Sequence, residues 1–506
     1  MRVRRSLALL LLVIFCALVA THAPLLKVPY FWDEAGYYVP AAYDLLTKAQ
    51  LIPSSTLSNA HPPLVMSYLA LAWKIFGYSP ATSRTAMLLV AAFALAGLFF
   101  LARVVSNSKI ATATVVCAAV YPVFFAQSSM VHLDLAAAAF SFWGLGLYFR
   151  GRLLAAAALF SLAALAKETA VITPLALFAW ELRGAVSKTM RENIRSASLL
   201  LPFLPLTLWF AYHFFRTGHV FGNPEYFRYN VGATLTPARV LFALVRRAWQ
   251  LIGHMNLYVL TVGAALAMMF PPVRDGVGER PRIAIPVQLT LLVVIAAHVL
   301  FFSLFGGALL ARYMLTVVPL GILICVSTIW RRVTGWQVVI VLVCVAFAMG
   351  LFINPPYVFA PEDNLSYRDF VSLHQEAAQY LEQQARGKRI LTAWPGSDEL
   401  SKPFLGYVAQ PMNVMKLSDF SPEQLENARA ANFNFAFVFS TKYEPPRRLW
   451  QPRFWEQAQR KFFDYHRDLP PEAVAGILGG EIVFVKRRGG HWVAVMRVQR
   501  IENAKR

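Results

Sequence analysis

The chain is predicted to be a polytopic α-helical membrane protein of about eleven spans, with interfacial helices in its first outer loop and a small C-terminal α/β domain. Three observations carry this. Hydrophobic residues make up 57% of the 506 and charged residues only 15%, with mean hydropathy +0.49, a balance that excludes an ordinary water-soluble globule. Apolar stretches of helical length recur from Ser6 to residue 353, each closed by charge, Pro or Gly. After Asn354-Pro355-Pro356 those stretches stop and a mixed composition begins.

The first stretch, 6–23, follows the basic start MRVRR and is read as an uncleaved anchor in preference to a cleaved signal peptide. Either reading puts the residues after it outside the cytoplasm. Further spans are expected near 84–104, 110–128, 135–149, 153–166, 169–182, 198–214, 252–270, 284–305, 309–330 and 336–353. The run 62–77 carries Lys74 and is short for a span, so it is expected to lie in the outer interface. Charge supports that choice. If 62–77 does not cross, the inward segments hold Arg2/Arg4/Arg5, Arg103/Lys109, Arg150/Arg152, Arg183/Lys188/Arg191/Arg195, Arg274/Arg280/Arg282 and Arg331/Arg332, all basic as the positive-inside rule requires. Spans 135–149 and 153–166 are short for a hydrocarbon core of roughly 30 Å, which suggests a polar cavity between them and the outer surface. Residues 1–353 therefore form the membrane module. Residues 354–506 read as an extracytoplasmic α/β domain, with a helix near 367–384 and strands near 389–394, 435–440, 482–485 and 492–498.

The net charge of +21 does not call for nucleic acid. Residues 1–353 hold 27 Lys/Arg against 10 Asp/Glu, and basic inward loops account for that excess. Cys16, Cys117, Cys325 and Cys344 all fall within apolar stretches, so neither a disulfide framework nor a Cys-based metal site is indicated.

With acids so scarce in the membrane module, each outward one is informative: Asp33, Glu34, Asp44, Asp134, Glu168 and Glu225. Asp33-Glu34 opens a run consistent with a helix along the membrane surface, where a carboxylate acts as a catalytic base or merely caps the helix. Tyr37 and Tyr38 in the same run offer hydroxyl or stacking contacts to a sugar. His61 precedes Pro62-Pro63, which fix the backbone where 62–77 starts; it can orient a carboxylate, hold a metal, bind a phosphate or be structural. Asp134, two residues after His132, starts a short span and is a cap or a catalytic acid. Lys167-Glu168 lies between two short spans, as a neighbouring ion pair or with Lys167 on a lipid phosphate. Arg312-Tyr313 begins a late span, where Arg312 either snorkels or forks a phosphate. Arg216, Arg228, Arg239, Arg246 and Arg247, interleaved with Phe221, Tyr226, Phe227 and Tyr229, suit a headgroup or sugar surface, or plain interfacial anchoring.

Taken in order, Asp33-Glu34, His61-Pro62-Pro63-Leu64, Asp134, Lys167 and Arg312-Tyr313 resemble the GT-C superfamily, and within it glycosyltransferase family 39, the protein O-mannosyltransferases and lipid A aminoarabinose transferases. The resemblance covers roughly residues 5–350. It implies a membrane-embedded polyprenyl-phosphate sugar donor, a hydroxyl acceptor (lipid, glycan or protein) on the outer face of the cytoplasmic membrane, and inversion at the anomeric carbon. Asp33 matches the family's general-base acid, Glu34 the acid after it, and Asp134 the acid of the next outer loop. The chain departs from both branches: nothing resembles the β-trefoil of eukaryotic mannosyltransferases, and His61-Pro62 stands where the aminoarabinose transferases have Lys-Pro.

Such a transfer needs a base for the acceptor proton, Asp33, and cationic help for the leaving phosphate, Lys167 and Arg312, with a divalent metal on Asp33, Asp134 or His61 as a further possibility. The competing class is a lipid-linked glycan flippase or transporter. Polar groups near mid-bilayer in repeated halves would mark it, whereas here acids cluster at the outer boundary without a repeat.

Overall fold

The computed structural model describes every residue except 1, 184–188, 225–227, 229–233, 277, 446–452, 464 and 499–506. Glu225, Tyr226, Phe227 and Tyr229 lie outside the described residues. The chain divides into two compact units, Met1–Leu26 with Ala41–Ile353, and Lys27–Pro40 with Asn354–Arg506.

In the first unit the eleven apolar stretches are helical, and among the described residues five helices are long and apolar enough to cross a membrane: Leu7–Leu25, Pro80–Val105, Asn193–Thr217, Pro237–Ala267 and Ile285–Leu304. Several expected boundaries move for local reasons. The helix of the second apolar stretch starts at Pro80, not 84, because Ser79 caps it by accepting from Thr82 N at 3.0 Å. The stretch 110–128 is two helices, Ser108–Val120 and Pro122–Gln127, since Pro122 cannot donate within a continuous helix. The stretch 252–270 continues an amphipathic helix, Pro237–Ile252, across a kink at Met255 (φ 50°) and Asn256 (φ 65°), whose amide donates to Ala346 O at 2.7 Å. Residues 309–330 hold a short turn, Ala311–Met314, before the helix Val318–Arg332. Leu64–Phe76, after Pro63, has 13 residues and is only about 20 Å long.

Small residues let the central helices approach. Cβ atoms built at Gly97 and Gly146 would fall 2.7 Å from Trp143 and 2.5 Å from Phe100, so Pro80–Val105 and Leu133–Phe149 pack glycine against aromatic in both directions. Gly144 gives the same clearance to Phe160 of the neighbouring helix Leu153–Ala166.

The second unit is an α/β domain. Its sheet contains β1 (Arg389–Ala393), β2 (Asn413–Leu417), β3 (Phe435–Phe439), β4 (Glu481–Arg488) and β5 (His491–Arg497) in the order β2-β1-β3-β5-β4. The β1 pairings with β2 and β3 are parallel; β5 is antiparallel to β3 and β4. The expected helix and four strands are present, and β2 is an addition. Its sequence, Asn413-Val-Met-Lys-Leu, alternates too weakly to stand out, as suits an edge strand. β3 is buried at every residue, and Ser366–Gln384 packs on β4 and β5. This unit also contains the Asp33 segment, as a single π-helical turn Glu34–Tyr38 that runs on into the helix Val39–Lys48.

Candidate active site

The first unit gathers most of the predicted site residues at the ends of its short helices. Asp134 sits in the first turn of Leu133–Phe149, and its carboxylate is turned to basic side chains of other segments. Lys167 Nζ lies 2.5 Å from Asp134 Oδ1 and Arg312 Nε 3.5 Å from Oδ2, all three residues being buried. Lys167 follows the last turn of Leu153–Ala166 in extended backbone, which projects it across to Asp134. The neighbouring-pair reading of Lys167-Glu168 is thereby corrected: Glu168 pairs with His61, Nδ1 to Oε2 2.7 Å, after the chain turns at Pro62-Pro63. Each carboxylate thus meets a basic side chain from a different segment.

Arg312 does not snorkel. It is 2% exposed and contacts the His132 ring at 3.1 Å, and the Lys167 ammonium rests 4.2 Å from the centre of the Tyr313 ring. Two more arginines join the cluster, which sequence reasoning assigned elsewhere. Arg84, taken as the edge of a span, is fully buried, donates to Ser129 O at 2.9 Å and lies close enough to His132 to act on it electrostatically. Arg247, taken as part of an outward surface, is fully buried on Pro237–Ile252, bonds Leu310 O at 2.8 Å and faces Tyr313 and Asp134. Arg239 on the same helix is likewise buried, donating to Gly306 O and Gly307 O. Asp44, by contrast, is tied to Lys48 (2.8 Å) and to the amides of Ser54 and Ser55, a brace for the turn after its helix.

The cluster therefore brings the buried cations Arg84, Lys167, Arg247 and Arg312 together with the carboxylates of Asp134 and Glu168. Cations clustered away from water favour an anionic ligand among them. No group of three or more His, Cys, Asp or Glu is placed to hold a metal among the described residues, and Asp134 is already opposed by two cations. The donor set does not fit the expected divalent ion.

The second unit carries Asp33 and Glu34. Asp33 precedes the turn Glu34–Tyr38 and its side chain makes no capping hydrogen bond, so capping does not explain it. Glu34 is fully buried and accepts from Phe31 N at 2.8 Å, closing the segment on itself. Trp32, immediately before Asp33, has φ 44°, a left-handed conformation that a bulky residue adopts only when its surroundings impose it. Tyr38 is buried and Tyr37 packs 5.9 Å from Trp394.

A helical membrane unit with a cation cluster at its helix ends, joined in one chain to an α/β domain, has the GT-C fold, the fold of a class of membrane glycosyltransferases. The chain is similar to ArnT from Cupriavidus metallidurans bound to undecaprenyl phosphate, at 15% identity over 97% of both chains with a TM-score of 0.54. The apo form of that protein gives 16% identity over 96% of this chain and 97% of that one, with a TM-score of 0.55. No protein-family model matches the chain, and no curated protein matches it in sequence.

Proposed function

We propose that the chain is a membrane glycosyltransferase that moves a sugar from a polyprenyl-phosphate donor to a hydroxyl acceptor, with Arg84, Lys167, Arg247 and Arg312 gathering the donor phosphate. The gathering of buried basic side chains carries this reading: Arg84, Lys167, Arg247 and Arg312 come together at the helix ends of one unit, and a phosphate ester is the anion that guanidinium and ammonium groups recognise. Asp134 holds Lys167 and Arg312 in register for it, and Tyr313 walls the site beside Lys167. Asp33 takes the proton of the acceptor hydroxyl as the sugar–phosphate bond breaks, while Glu34 shapes the segment that carries Asp33. His61 and Glu168 fix the loop that leads into Leu64–Phe76. The similarity in fold to an undecaprenyl-phosphate-bound ArnT supports a lipid-linked donor. The reaction would take place at the outer face of the cytoplasmic membrane, with the second unit extracytoplasmic, as the basic inward loops suggest.

The test is donor binding by the full chain in nanodiscs. A polyprenyl phosphate should bind and the matching polyprenol should not. Equal binding of both would overturn the phosphate site, and would favour a carrier that recognises the lipid chain.

A further inference from the structure

The C-terminal domain does more for the Asp33 segment than share its unit. Trp394, which follows β1, stands against it from one side: its indole lies 5.1 Å from Trp32 in an edge-to-face arrangement and 5.9 Å from Tyr37. A Cβ placed at Gly36 would come within 2.5 Å of the same indole, so the backbone of the turn rests directly on Trp394, which only glycine permits. Phe370 of Ser366–Gln384 packs against Phe31 at 5.2 Å and Trp32 at 5.7 Å. The Tyr407 hydroxyl donates to Tyr30 O at 2.9 Å. Behind Phe370 lies His374, stacked on it at 4.0 Å and paired with Glu399 at 2.6 Å, both fully buried. Helix Gly396–Ser401, which bears Glu399, packs on the turn Glu34–Tyr38.

We propose that Trp394 is a positioning residue: with Phe370 it grips Trp32 and Gly36, holds the left-handed backbone at Trp32, and so fixes the direction in which Asp33 presents its carboxylate. This rests on the reading of Asp33 as the base. The strain at Trp32 is the reason a grip is needed, because a bulky residue at φ 44° relaxes when its aromatic contacts are removed. Trp394 touches neither donor nor acceptor in this account; it acts through the backbone of residues 32–36.

The experiment uses the full chain in nanodiscs, comparing wild type, Trp394→Phe and Trp394→Ala by hydrogen-exchange mass spectrometry and by kinetics. Trp394→Ala should speed amide exchange in a peptide covering 30–38 by about tenfold or more, with peptides of the membrane helices unchanged. Turnover should fall by about 10²-fold, the cost of misplacing a reacting group by an ångström, while KM for the donor stays within about twofold. Trp394→Phe, which keeps an aromatic surface, should recover most of both. Unchanged exchange over 30–38 in Trp394→Ala overturns the grip, and faster exchange with unchanged turnover overturns the positioning role. Asp33→Asn run beside it separates the two claims: if that variant also keeps full turnover, the base assignment has failed, and if it is inactive, only the role of Trp394 has.

Discussion

Lys167 Nζ and Asp134 Oδ1 lie 2.5 Å apart, although the two residues are 33 positions apart and each is buried. The pair brings together the end of one short helix and the start of another, and its carboxylate is shared with Arg312. Asp134 is thus the anion about which the cations are arranged. Removing it should leave them opposed to one another.

Asp134→Asn is expected to destabilise the protein by about 3–5 kcal/mol, the usual cost of breaking a buried pair from one side. Part of that loss should return on adding a polyprenyl phosphate, which replaces the missing negative charge. Thermal unfolding with and without the lipid measures both; a variant as stable as wild type without lipid would remove Asp134 from the centre of the cluster.

Arg312→Lys keeps the charge but loses the planar fork, and Arg312 is almost wholly buried against His132. Donor affinity should fall by about tenfold or more, with the unfolding temperature little changed. Binding isotherms for the two proteins decide the matter, and identical affinities would reduce the guanidinium to a packing group.

Asp33→Asn preserves the size and shape of the side chain, so the protein should still fold. Turnover should drop by about 10²–10⁴-fold, the typical share of a general base, while donor binding persists. An active Asp33→Asn enzyme would move the base elsewhere.

The second unit should lose stability in mild acid. Burial holds His491 down to about 4, the nearby His374 adds to this and Asp468 partly offsets it. Neither ring nitrogen of His491 has a hydrogen-bond partner among the described residues. The folded state therefore prefers the neutral ring: stability is full above the unfolded value of about 6.5 and is lost progressively as pH falls toward 4, by up to about 3 kcal/mol. Exchange protection of β5 followed from pH 7.5 to 4.5 should decline over that window. His491→Phe should flatten the profile; a slope that survives the substitution would point to another group.

Gly36→Ala is a small change with a specific consequence. The new methyl would meet the Trp394 indole at 2.5 Å, and the ring is itself held by Trp32 and Tyr37. Overpacking of this kind costs about 1–3 kcal/mol, so the variant should fold with lower stability and a lower turnover number. Wild-type kinetics in Gly36→Ala would mean that the turn has room to shift.

Much of this protein was legible before any coordinates. Mean hydropathy and the recurrence of apolar stretches fix a helical membrane module because a bilayer accepts little else, and the change at Asn354 marks where that constraint ends. Short runs rich in aromatic and β-branched residues such as Phe435–Phe439 announced the strands, and scarcity of acid singled out Asp33, Asp134 and Glu168. What a sequence lists, however, is residues and not partners. Lys167 stands beside Glu168 in the chain yet bonds Asp134, because extended backbone after the helix turns its side chain the other way. Arg84 stands at the start of an expected span and Arg247 in an expected outward basic surface, and both join the cation cluster only once four helices are packed together. Residues 27–40, contiguous with the first helix, belong to the compact unit formed by a domain more than 300 positions further on. Composition and periodicity act locally and are written along the chain; which charge meets which, and what grips a strained turn, follow from long-range packing, which no single segment encodes.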